Sequence, residues 1–118
     1  MPYQIEFATA ADEESLRSIF LASDMAVVGD VGDHVVIKDS AGVYGGGLLY
    51  QMDENLFHLL TIVVQNNGRS RGVGSRLLKA MLQNPWSHCR DAVGEPGTHY
   101  AVTTVSRGES RGFYRKNE

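Results

Sequence analysis

The sequence predicts an α/β or α+β domain, a central sheet with helices on its faces, and three observations carry that prediction. The hydrophobic period switches from two to 3.6 and back along the chain. The middle holds three consecutive strand-like runs joined by short polar turns. A glycine-rich segment then joins the most apolar of those runs to an amphipathic helix. With 118 residues, 42% hydrophobic and 21% charged, residues 1–118 are expected to form one domain with a packed core.

Tyr3 to Ala8 alternates, with Tyr3, Ile5 and Phe7 on one face, as a half-buried strand does. Thr9 then precedes Asp12, Glu13 and Glu14, an acidic first turn that suits the positive end of a helix. Leu16, Ile19 and Phe20 follow at helical spacing. Gly29 to Asp33 reads as loop. Val35 to Lys38, Val43 to Met52 and Leu56 to Val64 are strand-like, and the turns Asp39 to Gly42 and Asp53 to Asn55 make antiparallel hairpins the economical connection. Gly45-Gly46-Gly47 is expected to let another backbone or a ligand approach closely. Val73, Leu77, Leu78, Met81 and Leu82 form an amphipathic helix stopped by Asn84-Pro85. His99 to Val105 reads as a strand, and Ser110 to Lys116 as the start of a last helix.

Charge is unevenly divided. Residues 1–60 carry ten acidic and two basic residues, net −8, and residues 61–118 net +5. The split suits an anionic ligand on one side and a cationic one on the other, or two solvated faces of opposite sign. The basic residues are too sparse, and too little interleaved with aromatics, for nucleic acid. Asn55 to Gly68, the longest uncharged stretch, falls short of the ~18–20 apolar residues of a membrane span, and Met1-Pro2-Tyr3 begins no signal. Cys89 is the one cysteine, so no internal disulfide forms, and a soluble, cytoplasmic protein is expected. No ligand set for a metal is evident: His88, Cys89 and His99 lack tight spacing.

Arg69-Ser70-Arg71-Gly72-Val73-Gly74-Ser75 opens the second helix. A helix start leaves about four N–H groups unpaired, and glycines let an anion sit against them. Arg69, Arg71 and Arg76 add positive charge nearby. The segment lacks the Lys-Ser/Thr of a nucleoside-triphosphate loop and the Gly-x-Gly-x-x-Gly of a dinucleotide fold.

Arg69, Gly72 and Gly74 do fill an Arg/Gln-x-x-Gly-x-Gly/Ala pattern, with Gly72 eight residues after Val64 at the end of a strand, and Gly112-Phe113-Tyr114-Arg115-Lys116 stands near the end of the sequence. In these features the sequence resembles the GNAT superfamily of acetyl-coenzyme-A-dependent N-acetyltransferases. The resemblance implies a GNAT-like acyl-CoA N-acyltransferase fold, with a mixed, mostly antiparallel sheet and helices on both faces. It places the pantetheine arm of acetyl-CoA beside Ile62 and Val64, and its pyrophosphate on the N–H groups of Arg69, Ser70, Arg71, Gly72, Val73, Gly74 and Ser75. It implies that His58 is the general base, the Ile62 N–H stabilises the oxyanion, and Tyr114 protonates the leaving thiolate, with direct transfer to a primary amine in a ternary complex. Histidine side chains, titrating near ~6.5, suit that task. Strand alternation puts residues 58, 60, 62 and 64 on one face.

Family members carry about thirty residues and two strands beyond this point. By resemblance, the missing wall of the acceptor pocket is supplied by a partner in a homodimer, or the branch is minimal, or the chain is shortened. A non-catalytic module that binds acetyl-CoA as a sensor is the alternative function.

Overall fold

The first strand alternates because its apolar residues, Ile5 and Phe7, turn toward the core while Gln4 and Glu6 face water. The computed structural model describes residues 3–65, 72–105 and 111–115, with Val105 and the last strand described by backbone alone. Its elements are β1 (Gln4–Phe7), α1 (Glu13–Ala22), β2 (Val35–Asp39), β3 (Gly42–Asp53), β4 (Leu56–Val64), α2 (Val73–Gln83), β5 (Ala101–Val105) and β6 (Arg111–Arg115). They form a six-stranded sheet in the order β1-β2-β3-β4-β5-β6. Every neighbouring pair is antiparallel except β4 and β5, which are parallel and joined through α2. A parallel pair needs such a crossover, whereas the short turns after β2 and β3 suffice for hairpins.

The two helices lie on opposite faces. Leu16, Ile19 and Phe20 of α1 pack with Val36, Val43 and Val63, while Val73, Leu77 and Met81 of α2 pack with Val35, Ile37, Leu49, Phe57 and Leu59. The glycine run of β3 sits between them. A Cβ on Gly46 would lie 2.6 Å from Leu16 Cδ1, and one on Gly47 would lie 2.9 Å from Thr61 O and 3.0 Å from Met81 Sδ. The close approach expected at these glycines is therefore met by the protein's own helices and by β4. Among the described residues, no helix is long and apolar enough to cross a membrane.

Three details depart from the periodicity. Asp12 does not belong to a solvated helix start: it is 6% exposed, accepts hydrogen bonds from the Thr9 N–H at 2.9 Å and hydroxyl at 3.1 Å, and pairs with Lys38 at 3.0 Å. Lys38 also reaches Glu6 at 3.1 Å, which ties the entry of α1 to β1 and β2. Helix α1 ends where Asp24 adopts φ +64° and the Met25 N–H returns to Phe20 O. The helix expected over Ser110 to Lys116 is instead β6, whose Gly112, Phe113 and Tyr114 register with Thr104, Thr103 and Val102. A five-residue span shows too few repeats to separate the two periods, and the free edge of β5 decides it.

Candidate active site

The site begins with a fault in β4. On β3, Gly46, Leu48 and Tyr50 share a face and are partnered by Val63, Thr61 and His58, so β4 spends one extra residue, Leu60, in a bulge. Alternation through the whole strand fails there. Ile62 and Val64 lie on the α2 face with Phe57 and Leu59, while His58 lies with Thr61 and Val63 on the α1 face. The expectation that 58, 60, 62 and 64 share one face is corrected accordingly.

The bulge falls where the sheet opens. Pairing of β4 with β5 runs from Leu56↔Ala101 to Leu59↔Thr104, yet β4 continues to Val64. Main-chain groups alternate between the two edges of a strand. The Gln65 N–H donates to Tyr44 O at 2.8 Å, and the carbonyls of Val63 and Thr61 point at β3, so residues 61, 63 and 65 address β3. Ile62 and Val64 therefore direct their N–H and C=O groups to the other edge, beyond the last β4–β5 pair, Leu59↔Thr104, where no strand among the described residues pairs with them.

The start of α2 faces the same opening. Its N-cap, Gly72, has φ +80°, a conformation that only glycine adopts cheaply, and no side chain caps the helix. The Arg76 N–H is taken by Gly72 O, leaving the N–H groups of Val73, Gly74 and Ser75 outside the intrahelical ladder. Ile62, Val64, Gly74, Ser75 and Leu78 line a cavity of about 250 Å³. A groove of about 340 Å³ continues from Ser75 and Leu78 along Lys79, Leu82 and Gln83. Gly74 has no positive φ and its Cβ would stand 3.6 Å from both Val64 methyls, an ordinary contact. Among the described residues, nothing in the fold requires glycine at 74. Donors outside the helix ladder, a bare Cα and a strand edge without a partner among the described residues suit a phosphate-bearing, strand-like ligand.

On the other face, half-buried His58 sits beside Tyr50 and reaches β5, its Nδ1 2.8 Å from Thr103 Oγ1. Thr61 Oγ1 is buried without a hydrogen-bond partner. The structure thus brings Ile62, Val64, Gly74 and Ser75 around one cavity, with Val73 beside them at the start of α2, while His58 lies on the opposite face of the sheet, where β4 is still paired with β5. Val73 contributes its N–H alone, since its side chain is in the core. Arg69, Ser70 and Arg71 lie outside the described residues, as does the side chain of Tyr114. Arg76 stacks its guanidinium 5.3 Å from the Tyr3 ring centroid. Sequence reasoning missed Thr61 and Thr103, which alternation alone could not align with His58 across a bulge and a crossover.

The acyl-CoA N-acyltransferase fold is shared with solved acetyltransferases. Ard1 from Thermoplasma volcanium matches at 19% identity and TM-score 0.62, covering 88% of this chain and 71% of its own. N-acetylglutamate synthase from Neisseria gonorrhoeae, solved with coenzyme A and L-arginine, matches at 13% and 0.64, covering 90% of this chain and 24% of its own. Diaminobutyrate acetyltransferase EctA from Paenibacillus lautus, solved with L-2,4-diaminobutyric acid and coenzyme A, matches at 10% and 0.60, covering 87% and 64%. A search of curated protein sequences found no match. The family model for the acetyltransferase (GNAT) family matches residues 3–117, and the chain belongs to that family.

Proposed function

We propose that this chain is an acetyl-CoA-dependent N-acetyltransferase that carries an acetyl group to a primary amine by direct attack in a ternary complex. The observation that carries the reading is the coincidence of the open β4 edge at Ile62 and Val64 with the uncapped start of α2. Coenzyme A supplies an activated acetyl thioester when bound. The N–H groups of Val73, Gly74 and Ser75 would hold its pyrophosphate, joined by Arg69, Ser70, Arg71 and Gly72, and Ile62 and Val64 would pair with its pantetheine arm. Solved relatives with coenzyme A bound support this assignment for the fold.

His58 would take the proton an alkyl ammonium must lose, from the α1 face, while the coenzyme enters from the α2 side. The two reactants then meet at the mouth of the split from opposite faces. The Ile62 N–H would stabilise negative charge developing on the carbonyl oxygen, a contribution of the order of 3 kcal/mol for one such donor. Tyr114 would return a proton to the thiolate.

The test is free-thiol release from acetyl-CoA over a panel of small amines, amino acids and peptides, beside calorimetric binding of coenzyme A. Turnover lowered by His58→Ala with coenzyme affinity retained is the expected result. Binding without turnover on any acceptor would assign the chain as a coenzyme-binding sensor module, and absence of binding would sink both readings.

A further inference from the structure

The strand paired with the first half of β4, β5, sets one side chain against His58. Thr103 registers with His58 across the parallel pair, and its Oγ1 stands 2.8 Å from His58 Nδ1 and 3.4 Å from Phe57 O. A threonine hydroxyl has one hydrogen, and a carbonyl can only accept. With the ring hydrogen on Nε2, the single hydroxyl hydrogen goes to the ring and the long carbonyl contact is lost; with it on Nδ1, both contacts are made, Oγ1 accepting from the ring and donating to Phe57 O. The second arrangement leaves the lone pair on Nε2.

We propose that Thr103 is a positioning residue that fixes His58 as the Nδ1–H tautomer, with Nε2 as its proton-accepting nitrogen. The inference deepens, and in its catalytic consequence rests on, the reading of His58 as general base. With the opposite tautomer, the accepting nitrogen would be Nδ1, already held against the Thr103 hydroxyl of β5. The carbonyl that sets the hydroxyl belongs to Phe57, whose side chain is fully buried and packed edge-on against Trp86 at 4.9 Å, so the orienting chain is anchored in the core.

The test is long-range proton–nitrogen correlation on histidine-labelled protein without substrates at about pH 8, where unperturbed imidazoles are neutral. His58→Ala identifies the His58 signals among the four histidines. The expected result is protonated Nδ1 in the parent chain and in Thr103→Ser, and a shift toward protonated Nε2 in the near-isosteric Thr103→Val. Thr103→Val should also lower kcat about tenfold or more, with the KM for coenzyme unchanged and Thr103→Ser restoring the rate. Protonated Nε2 in the parent chain, or an unchanged tautomer in Thr103→Val, would overturn the proposal. The tautomer is read on the resting protein, whereas the base reading falls with a fully active His58→Ala, so the two failures are told apart.

Discussion

Replacing Gly74 separates a glycine kept for a ligand from one kept for the fold. Residue 74 is the second residue of α2, where alanine is preferred to glycine by up to ~1 kcal/mol and valine is roughly neutral. A Cβ there would meet only the Val64 methyls at 3.6 Å. Gly74→Ala should raise Tm by as much as about 4 °C in a domain of this size, and Gly74→Val should leave it nearly unchanged. Both place carbon in the 250 Å³ cavity that the 74 and 75 N–H groups border. If valine displaces the phosphate from one N–H, the loss is about 1.5–3 kcal/mol, or about ten- to 150-fold in the Kd for coenzyme A. Calorimetric titration beside thermal denaturation reads both quantities. An unchanged Kd in a fully folded Gly74→Val would refute the placement of the pyrophosphate. Gly72 is the poorer probe: its φ of +80° strains any side chain, while no atom of the described residues lies within 4 Å of its Cβ position.

The Asp12–Lys38 pair gives stability limited from both ends of the pH scale. Burial works against the Asp12 carboxylate, but the Thr9 N–H and hydroxyl and the Lys38 ammonium outweigh it and hold it below its ordinary value; Asp12 and Glu6 hold Lys38 above its own. The Asp12 contribution should be lost as pH falls below about 4 and the Lys38 contribution as pH rises above about 10.4; Asp12→Asn should cost about 2 kcal/mol and flatten the acid limb of a Tm–pH series. His34 is fully buried, and burial pushes its pKa down although its Nδ1–H donates to Asp30 O at 3.0 Å; its Nε2 has no partner. The unfolded chain then binds the proton more readily, so Tm should fall as pH drops below about 6.5, and His34→Asn should reduce that slope. Burial, with the nearby charge of Asp91, pushes the Cys89 thiol up, so Cys89 should resist alkylation at neutral pH in the native protein and react promptly in denaturant.

The elements with many repeats of one period were legible in the sequence. Helix α2 and strand β4 run over the residues the pattern marks, because an eleven-residue helix declares its period several times and a nine-residue apolar run between turn residues marks a strand whichever way its faces fall. The start of α2 just after Gly72 was legible because glycines between an apolar strand and an amphipathic run mark a helix opening. Charge counted by chain halves was a poorer guide to faces. Lys38 of the acidic half neutralises Asp12 and Glu6, while Arg76 and Arg90 of the basic half lie over the rings of Tyr3 and Phe7, with Arg90 also donating to Gly32 O at 2.8 Å. Long side chains cross between elements, so linear charge does not map onto surface charge.

The least legible feature, the extra residue at Leu60, is also the one on which the proposed chemistry turns. An unbulged β4 would put His58 on the α2 face with Ile62 and Val64, so the base would compete with the coenzyme for the same side of the sheet. The inserted residue turns His58 to the α1 face while leaving the Ile62 main chain aimed at the β5 side, so that the proposed base and the proposed oxyanion donor would come from one strand but serve opposite sides. It also lies immediately beyond Leu59, the last residue paired with β5, where the added twist of a bulge favours divergence of the two strands. Deleting Leu60 would restore continuous alternation, and the physical consequence would be registral: either residues 61 to 64 or residues 56 to 59 must exchange faces. Since Val63 packs under α1 and Leu59 under α2, neither exchange is tolerated by the core, and the bulge is held in place by burial on both faces of the sheet rather than by any local signal that a single sequence displays.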